Sequence, residues 1–340
     1  MSAVLQVRGS AYLPFVLFMD DIGASIGGAS AEALLPAMVR QDPEALIPIH
    51  LAHGFLDRSA RAAGKADLGF VVGQHMHVDS LGTFGRSLLR SLTLHDALGK
   101  IRAKFSLYSS AERVWWSQRG QNVYLFHAYA SQTGPGSRVA RQCVLLLLRD
   151  LVRLAAGPAW QPDQILSPDA ALDAEAMRKA FQGADVRQSE FVGVVFPARF
   201  LSLPWNWPRI LSLGSGERED TAFESSAPAD DFTGSVKQVI SALMKQGQCH
   251  LGQTARAAGM HPRALQRRLF ETGEEYSDLL AEVRFERALR LISDPNVKII
   301  DVAGELGYSD SANFTRAFRQ WTGVSPSDFR RLREQGAVAK

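Results

Sequence analysis

Two clusters of hydrogen-bonding side chains sit at helical spacing in the last third of the chain. Arg263, Gln266, Arg267 and Arg268 form the first; Ser311, Thr315, Arg316 and Arg319 form the second. A guanidinium presents a fork of N–H donors, a glutamine amide pairs a donor with an acceptor, and a hydroxyl does both. Residues three and four apart share one face of a helix. On such a face these groups suit base edges and phosphate oxygens in the major groove of DNA.

The elements that would carry them are visible as a repeat. Ala255-Arg256-Ala257-Ala258-Gly259 and Ala303-Gly304-Glu305-Leu306-Gly307 share one A-x-x-x-G spacing, offset by 48 residues. Two helices crossing at a steep angle need a small residue where their backbones approach, and the glycine one turn later ends the first helix in the left-handed conformation. An amphipathic helix follows each glycine. In the first, Pro262 suits the opening turn, and Leu265 and Leu269 form an inward i, i+4 pair. In the second, Ser309 or Asp310 serves as N-cap and Phe314 and Phe318 turn inward, which leaves Ser311, Ala312, Thr315, Arg316 and Arg319 on or near the outer face. Tyr276 to Ser293 reads as one helix between the units, about 27 Å long at 1.5 Å per residue. That length is near the roughly 34 Å of one DNA turn, so it can hold two recognition helices over successive major grooves. An all-α repeat with a solvated basic face is the plainer alternative; two copies of the pattern, each followed by a basic amphipathic helix, favour DNA.

The run from Gly307 to Arg330, GYSDSANFTRAFRQWTGVSPSDFR, resembles the C-terminal motif of AraC/XylS-type transcription regulators. The resemblance covers about 233–335. It implies DNA reading through Arg263, Gln266 and Arg267 in the first recognition helix and through Ser311, Thr315 and Arg316 in the second. Ala312 stands where some members carry a longer polar residue, and His261-Pro262 replaces the more usual Ser or Thr cap. Residues 20–205 are similar, more loosely, to the arabinose-binding/dimerisation type of sensor found in this family rather than to its cupin-like barrel. That likeness implies a small-molecule effector and a homodimer without naming ligand or interface.

Composition divides the chain in the same place. Residues 1–213 and 233–340 each carry a net charge of +4, whereas 214–232 holds one arginine against six acids. This Gly-, Ser- and acid-rich stretch, in which Phe223 is the one large apolar side chain from Gly214 to Asp231, predicts a flexible acidic linker. Upstream, apolar residues at helical spacing predict helices over 48–63, 93–108, 138–156 and 170–182. Arg113 to Gln118 and Gln121 to Tyr129 read as a hairpin split at Arg119-Gly120, and Phe191 to Phe196 as a buried strand. The fold class is therefore an α+β, helix-rich sensor with a small sheet, joined to an all-α DNA-binding domain with two helix-turn-helix units. Downstream of the linker no strand is expected.

Other constellations lead elsewhere or nowhere. Gly23-Ala24-Ser25-Ile26-Gly27 matches the nucleophile elbow of serine hydrolases, which needs a buried strand before it and a helix after it. A serine hydrolase fused to a DNA-binding domain, with Ser25 as nucleophile, is thus a rival reading, although no hydrolase-like alternation of strands and helices follows; a turn between two elements is preferred. His50/His53 and His75/His77 are close pairs without a third or fourth metal ligand nearby. Aromatics gather at Trp115, Trp116, Tyr124, Phe126 and Tyr129, with Trp205 and Trp207 later, as core or as walls of an effector pocket. Glycine-rich phosphate loops are absent, so no ATP or dinucleotide cofactor is expected.

The longest apolar runs, Tyr12 to Met19 and Cys143 to Leu148, fall far short of the roughly 20 residues a bilayer span needs; the first reads as a buried helix or strand. Two cysteines, Cys143 and Cys249, exclude a disulfide framework and fit a reducing cytoplasm. These observations predict a cytoplasmic, effector-responsive transcription activator that binds promoter DNA as a homodimer and engages RNA polymerase. The alternative within the same class is a constitutive DNA-binding protein whose N-terminal domain serves dimerisation alone.

Overall fold

The computed structural model describes residues 2–24, 34–130, 134–205, 217–247 and 249–338. The chain forms two compact units, one spanning Leu5–Pro228 and the other made of Met1–Val4 together with Ala229–Lys340.

The larger unit opens with a short strand β1 (Gln6–Arg8), a 3-10 turn and helix α1 (Leu13–Asp21). The apolar run before Gly23 is thus a helix, not the buried strand a nucleophile elbow requires, and Ser25 itself lies outside the described residues. Helix α2 (Leu35–Gln41) leads to β2 (Leu46–Pro48), which pairs antiparallel with β1. Four helices follow: α3 (Ile49–Ala62), α4 (Leu68–Gly73), α5 (Gly82–Leu89) and α6 (Leu94–Tyr108). Strands β3 (Glu112–Arg119) and β4 (Asn122–Tyr129) form the hairpin expected around Arg119-Gly120. After the long helix α7 (Ser137–Ala156) come β5 (Gln164–Ser167), α8 (Ala174–Ala180), β6 (Asp185–Gln188) and β7 (Val192–Pro197).

The main sheet has the order β3-β4-β7-β5-β6, antiparallel except where β5 and β6 pair in parallel. Its inner strand β7 is buried from Val192 to Phe196, which is why its sequence is continuously apolar rather than alternating. Sequence patterning does not anticipate β5 and β6. They are four residues each, and β6 is a polar edge strand with no alternating apolar face. Helix α7 carries Leu145, Leu148 and Val152 inward, as its spacing predicts, and packs on β7. Where α4 crosses it, a Cβ on Gly69 would stand 2.0 Å from the Val139 carbonyl oxygen, so the close approach demands glycine.

The segment predicted to be a flexible acidic linker carries a helix. Glu217–Ser225 form helix α9, docked on the body of the same unit; residues 214–216 lie outside the described residues. Phe223 is buried, stacked at 6.3 Å on Phe84, and three of the acids that suggested solvation are paired: Glu219 with Arg86 at 2.9 Å, Asp220 with Arg90 at 2.6 Å and Glu224 with Lys104 at 2.7 Å. Arg8 sits fully buried beneath them. Its guanidinium donates to the carbonyls of Glu44 (2.9 Å), Phe223 (3.0 Å), Ser226 (2.8 Å) and Leu107 (3.2 Å), and lies 4.6 Å from the Phe223 ring. A buried guanidinium is tolerated when its donors are taken up in this way.

The second unit is helical throughout its described part: α10 (Phe232–Met244), α11 (Leu251–Ala257), α12 (Pro262–Glu271), α13 (Tyr276–Ile292), α14 (Ile299–Glu305), α15 (Ser311–Thr322) and α16 (Pro326–Val338). The first residues of the chain belong to it: Val4 is buried and donates its N–H to Ser235 Oγ of α10 at 2.8 Å.

Candidate nucleic-acid interface

Both predicted helix-turn-helix units are present, as α11–α12 and α14–α15. At the turns, Ala255 and Ala303 are buried to 0% and 1% exposure, the small residues that let the helices meet. Gly259 and Gly307 take φ of +70° and +74°. The two turns close with the same hydrogen bonds: Met260 N–H to Ala255 O at 2.8 Å, and Tyr308 N–H to Ala303 O at 3.0 Å. Each reading helix is anchored by two fully buried side chains one turn apart, Leu265 with Leu269 and Phe314 with Phe318.

Helix α13 is tied to both units. Tyr276 at its start shares a 2.9 Å hydrogen bond with Thr254 of α11. One helical face further along, Arg284 donates to the Leu306 carbonyl at 3.0 Å and lies 4.6 Å from the Tyr308 ring, and Arg287 pairs with Glu305 at 2.7 Å. With 17 residues the helix is about 25 Å long. Phe285 adds contacts to Phe318 and Trp321.

On α12, Arg263, Gln266 and Arg267 are exposed along one stripe, opposite the buried leucines. His261 does serve as the N-cap that its residue type left open, its ring nitrogen accepting from the Arg263 N–H at 3.3 Å. Arg267 is held loosely, 3.8 Å from Glu271. Arg268 lies on the flank of the helix. Its guanidinium lies 4.2 Å from the buried Phe232 ring and donates to the Ser2 carbonyl at 2.9 Å, so it is committed to its own unit. At 100° per residue, position 268 falls on the flank between the leucine face and the stripe of 263, 266 and 267. Phe270, 80% exposed, continues that stripe one turn on; sequence reading missed it, although the 263-266-267-270 spacing is the available signal.

On α15, Asp310 caps the helix, accepting from the Asn313 backbone N–H at 2.7 Å and from its side-chain amide at 2.6 Å. Those bonds hold the Asp310 carboxyl below its ordinary range, so it stays ionised. Arg316 in turn donates to the Asn313 side-chain oxygen, which orients its guanidinium at the start of the helix. Arg316, Arg319 and Ala312 are exposed, and Ser311 and Thr315 half-buried. The Thr315 hydroxyl donates to the Ser311 carbonyl at 2.8 Å, leaving its methyl and an oxygen lone pair for a partner.

The remaining candidates fall away from this surface. His50, His75 and His77 are exposed, His77 beside Asp150 at 3.2 Å, while His53 is buried. Among the described residues no cluster of three or more metal-ligating side chains occurs. Both cysteines are free, and burial pushes the thiols of Cys143 and Cys249 up to about 12 and about 11. Phe126 stacks on Trp115 and Tyr124 on one face of the hairpin, with Phe191 edge-on to Trp115 and Phe126, whereas Tyr129 belongs to the opposite face. Trp207 lies outside the described residues. No helix among the described residues is long and apolar enough to cross a membrane.

Comparison with known proteins gives two family matches. Residues 254–332 match the model described as a helix-turn-helix domain, and residues 23–205 that described as the N-terminal arabinose-binding domain of AraC transcription regulator. The ornithine utilization regulator of Pseudomonas aeruginosa is 27% identical over 314 residues, covering 89% of this chain and 91% of that protein. The HTH-type transcriptional regulator VirS of Mycobacterium tuberculosis is 36% identical over 88 residues, 26% of each chain. Among solved structures, the transcriptional regulator CdpR of Pseudomonas aeruginosa aligns over 95% of this chain and 98% of its own with 20% identity and a TM-score of 0.43.

Proposed function

The chain belongs to the AraC family of DNA-binding transcription regulators, and from that premise we propose that it is a cytoplasmic, effector-responsive activator acting as a homodimer. The observation that carries the reading is the pair of matched reading helices, α12 and α15, each anchored by two buried side chains, exposing Arg, Gln, Ser and Thr, and clamped to one connecting helix. Arg263, Gln266 and Arg267 read base edges in one major groove, and Ser311, Thr315, Arg316 and Arg319 contact bases and phosphates in the next. Arg268 is assigned to holding α12 against its own unit rather than to DNA.

Affinity comes largely from cation–phosphate contacts and falls with salt. A small molecule bound in the N-terminal unit shifts the population toward the arrangement that presents the DNA-binding units, and RNA polymerase, productively to the promoter. Genome-wide mapping of the full-length protein on its host's DNA tests the reading. Discrete sites with two half-elements about one helical turn apart support it. Diffuse occupancy that persists whatever the growth condition overturns it in favour of a constitutive DNA-binding protein with an N-terminal domain that serves dimerisation alone.

A further inference from the structure

An apolar cavity of about 100 Å³ in the larger unit lies between α1, α5, α6, α7 and the inner face of the hairpin. Most of its wall is aromatic and aliphatic, with Phe15, Phe84, Phe105 and Val144 among the lining side chains. One end is polar. Glu112 and His127 project there from β3 and β4, their side chains 9% and 3% exposed, and Tyr108 and Tyr129 flank them.

These polar groups are not spent on the protein. Both ring nitrogens of His127 lack a hydrogen-bond partner. The closest approach of His127 to Glu112 is 3.5 Å, longer than an ordinary hydrogen bond. The surrounding groups stay neutral. Burial first, and then the Glu112 charge, raises the phenols of Tyr12, Tyr108 and Tyr129, and the same two causes raise the Cys143 thiol. No lysine or arginine is among the lining residues. A buried carboxylate whose nearest cationic partner stands 3.5 Å away is costly, and a ligand that supplies donors and positive charge lowers that cost. A ligand carrying a carboxylate would instead place a second negative charge beside Glu112 with no cation to meet it.

We propose that this cavity is the effector site and takes a molecule with an apolar body and a single protonated amine, the amine meeting Glu112 and His127 and the body filling the space between α1, α5, α6 and α7. The proposal rests on the reading of the chain as a ligand-responsive regulator. Three probes of matched body separate the head-group chemistries: 4-phenylbutan-1-amine, 4-phenylbutan-1-ol and 4-phenylbutanoate, titrated calorimetrically into the full-length protein. The amine is expected to bind at least about tenfold more tightly than the alcohol, with the acid weakest, since one charge-assisted contact in a desolvated site is worth a factor of that order. Glu112→Gln, nearly isosteric, should reduce the amine's advantage over the alcohol to about twofold. Val144→Trp should block all three by filling the space.

Binding of none of the probes, equal binding of amine and acid, or binding that survives Val144→Trp overturns the assignment. The same samples are titrated with operator DNA from the mapped sites. Intact, sequence-selective DNA binding beside a failed cavity result removes the cavity assignment alone; absence of selective DNA binding removes the functional reading instead.

Discussion

Replacing Arg267 by alanine separates what the α12 face does for DNA from what it does for the fold. The Arg267 side chain is 75% exposed and its charged neighbour Glu271 is 3.8 Å away. An exposed i, i+4 pair of that kind contributes about 0.3–0.5 kcal/mol, so folded stability should stay within about 0.5 kcal/mol of the parent. If Arg267 reads a base edge, its loss costs about 1–3 kcal/mol at the cognate site, roughly a 5- to 150-fold rise in Kd, with little change on scrambled DNA. Arg268→Ala is the internal control. It deletes a guanidinium stacked 4.2 Å from Phe232 and bonded to the Ser2 carbonyl at 2.9 Å, and should cost about 1–3 kcal/mol of stability while leaving the DNA affinity of the folded protein within about twofold. Fluorescence anisotropy on cognate and scrambled duplexes between 50 and 200 mM salt, set beside urea denaturation, measures both quantities. Equal losses on the two duplexes, with the salt slope reduced by about 0.9, would make Arg267 a phosphate contact. Exchanged phenotypes of the two variants would refute the assignment of the α12 face altogether.

Three further expectations concern the larger unit. Phe223→Ala removes a buried ring stacked on Phe84 and Arg8, and should cost about 3–5 kcal/mol by urea denaturation and open α9 to proteolysis; protection equal to the parent's would show that α9 docks through its charge pairs alone. Burial, with a smaller push from Arg141, lowers the His53 pKa to about 3, so the unfolded chain binds a proton near pH 6.5 that the folded one refuses. Its contribution is complete above about pH 6.5 and is lost toward pH 3, about 2 kcal/mol between pH 7 and pH 5; His53→Leu should flatten that part of the denaturation profile, and an unchanged slope would count against the buried neutral imidazole. Gly69→Val drives a branched side chain into the Val139 carbonyl and should lower stability by about 3 kcal/mol or more, while thermal melting at parental temperature would mean that α4 can shift off α7.

Much of the architecture is legible because periodicity and burial coincide. The helices at 49–62, 94–108 and 137–156 and the hairpin at 112–129 follow apolar spacings that hold over long stretches. What escapes is set by partners distant in sequence. The acids of 217–225 look like a solvated tether because composition carries no trace of Arg86, Arg90 and Lys104, more than a hundred residues upstream. β6 escapes because an exposed edge strand of four residues with a single apolar one, Val186, has no pattern to show. In the reading helices the apolar anchors fix the outward stripe well, but a residue on the boundary is decided by its neighbours: Arg268 turns to Phe232, and Phe270 turns to solvent. The Glu112–His127 end of the cavity is invisible along the chain, since it is created by the cross-strand register that sets Glu112 opposite Tyr129 and Val114 opposite His127.

The buried Arg8 decides how these parts can be recombined. An engineer building a chimeric sensor would choose the glycine- and acid-rich stretch near Gly214 as the suture. A cut there strips Arg8 of the Phe223 carbonyl and of both Ser226 oxygens, leaving a guanidinium inside the protein with unmet donors. The transferable sensor therefore runs to about Pro228. The four residues before Leu5, which precede it in the gene, have to be supplied to the graft's DNA-binding half, where Val4 meets Ser235 and Ser2 meets Arg268. Each module is compact in itself but the two are interleaved in sequence, and swapping them takes two junctions where composition advertises one.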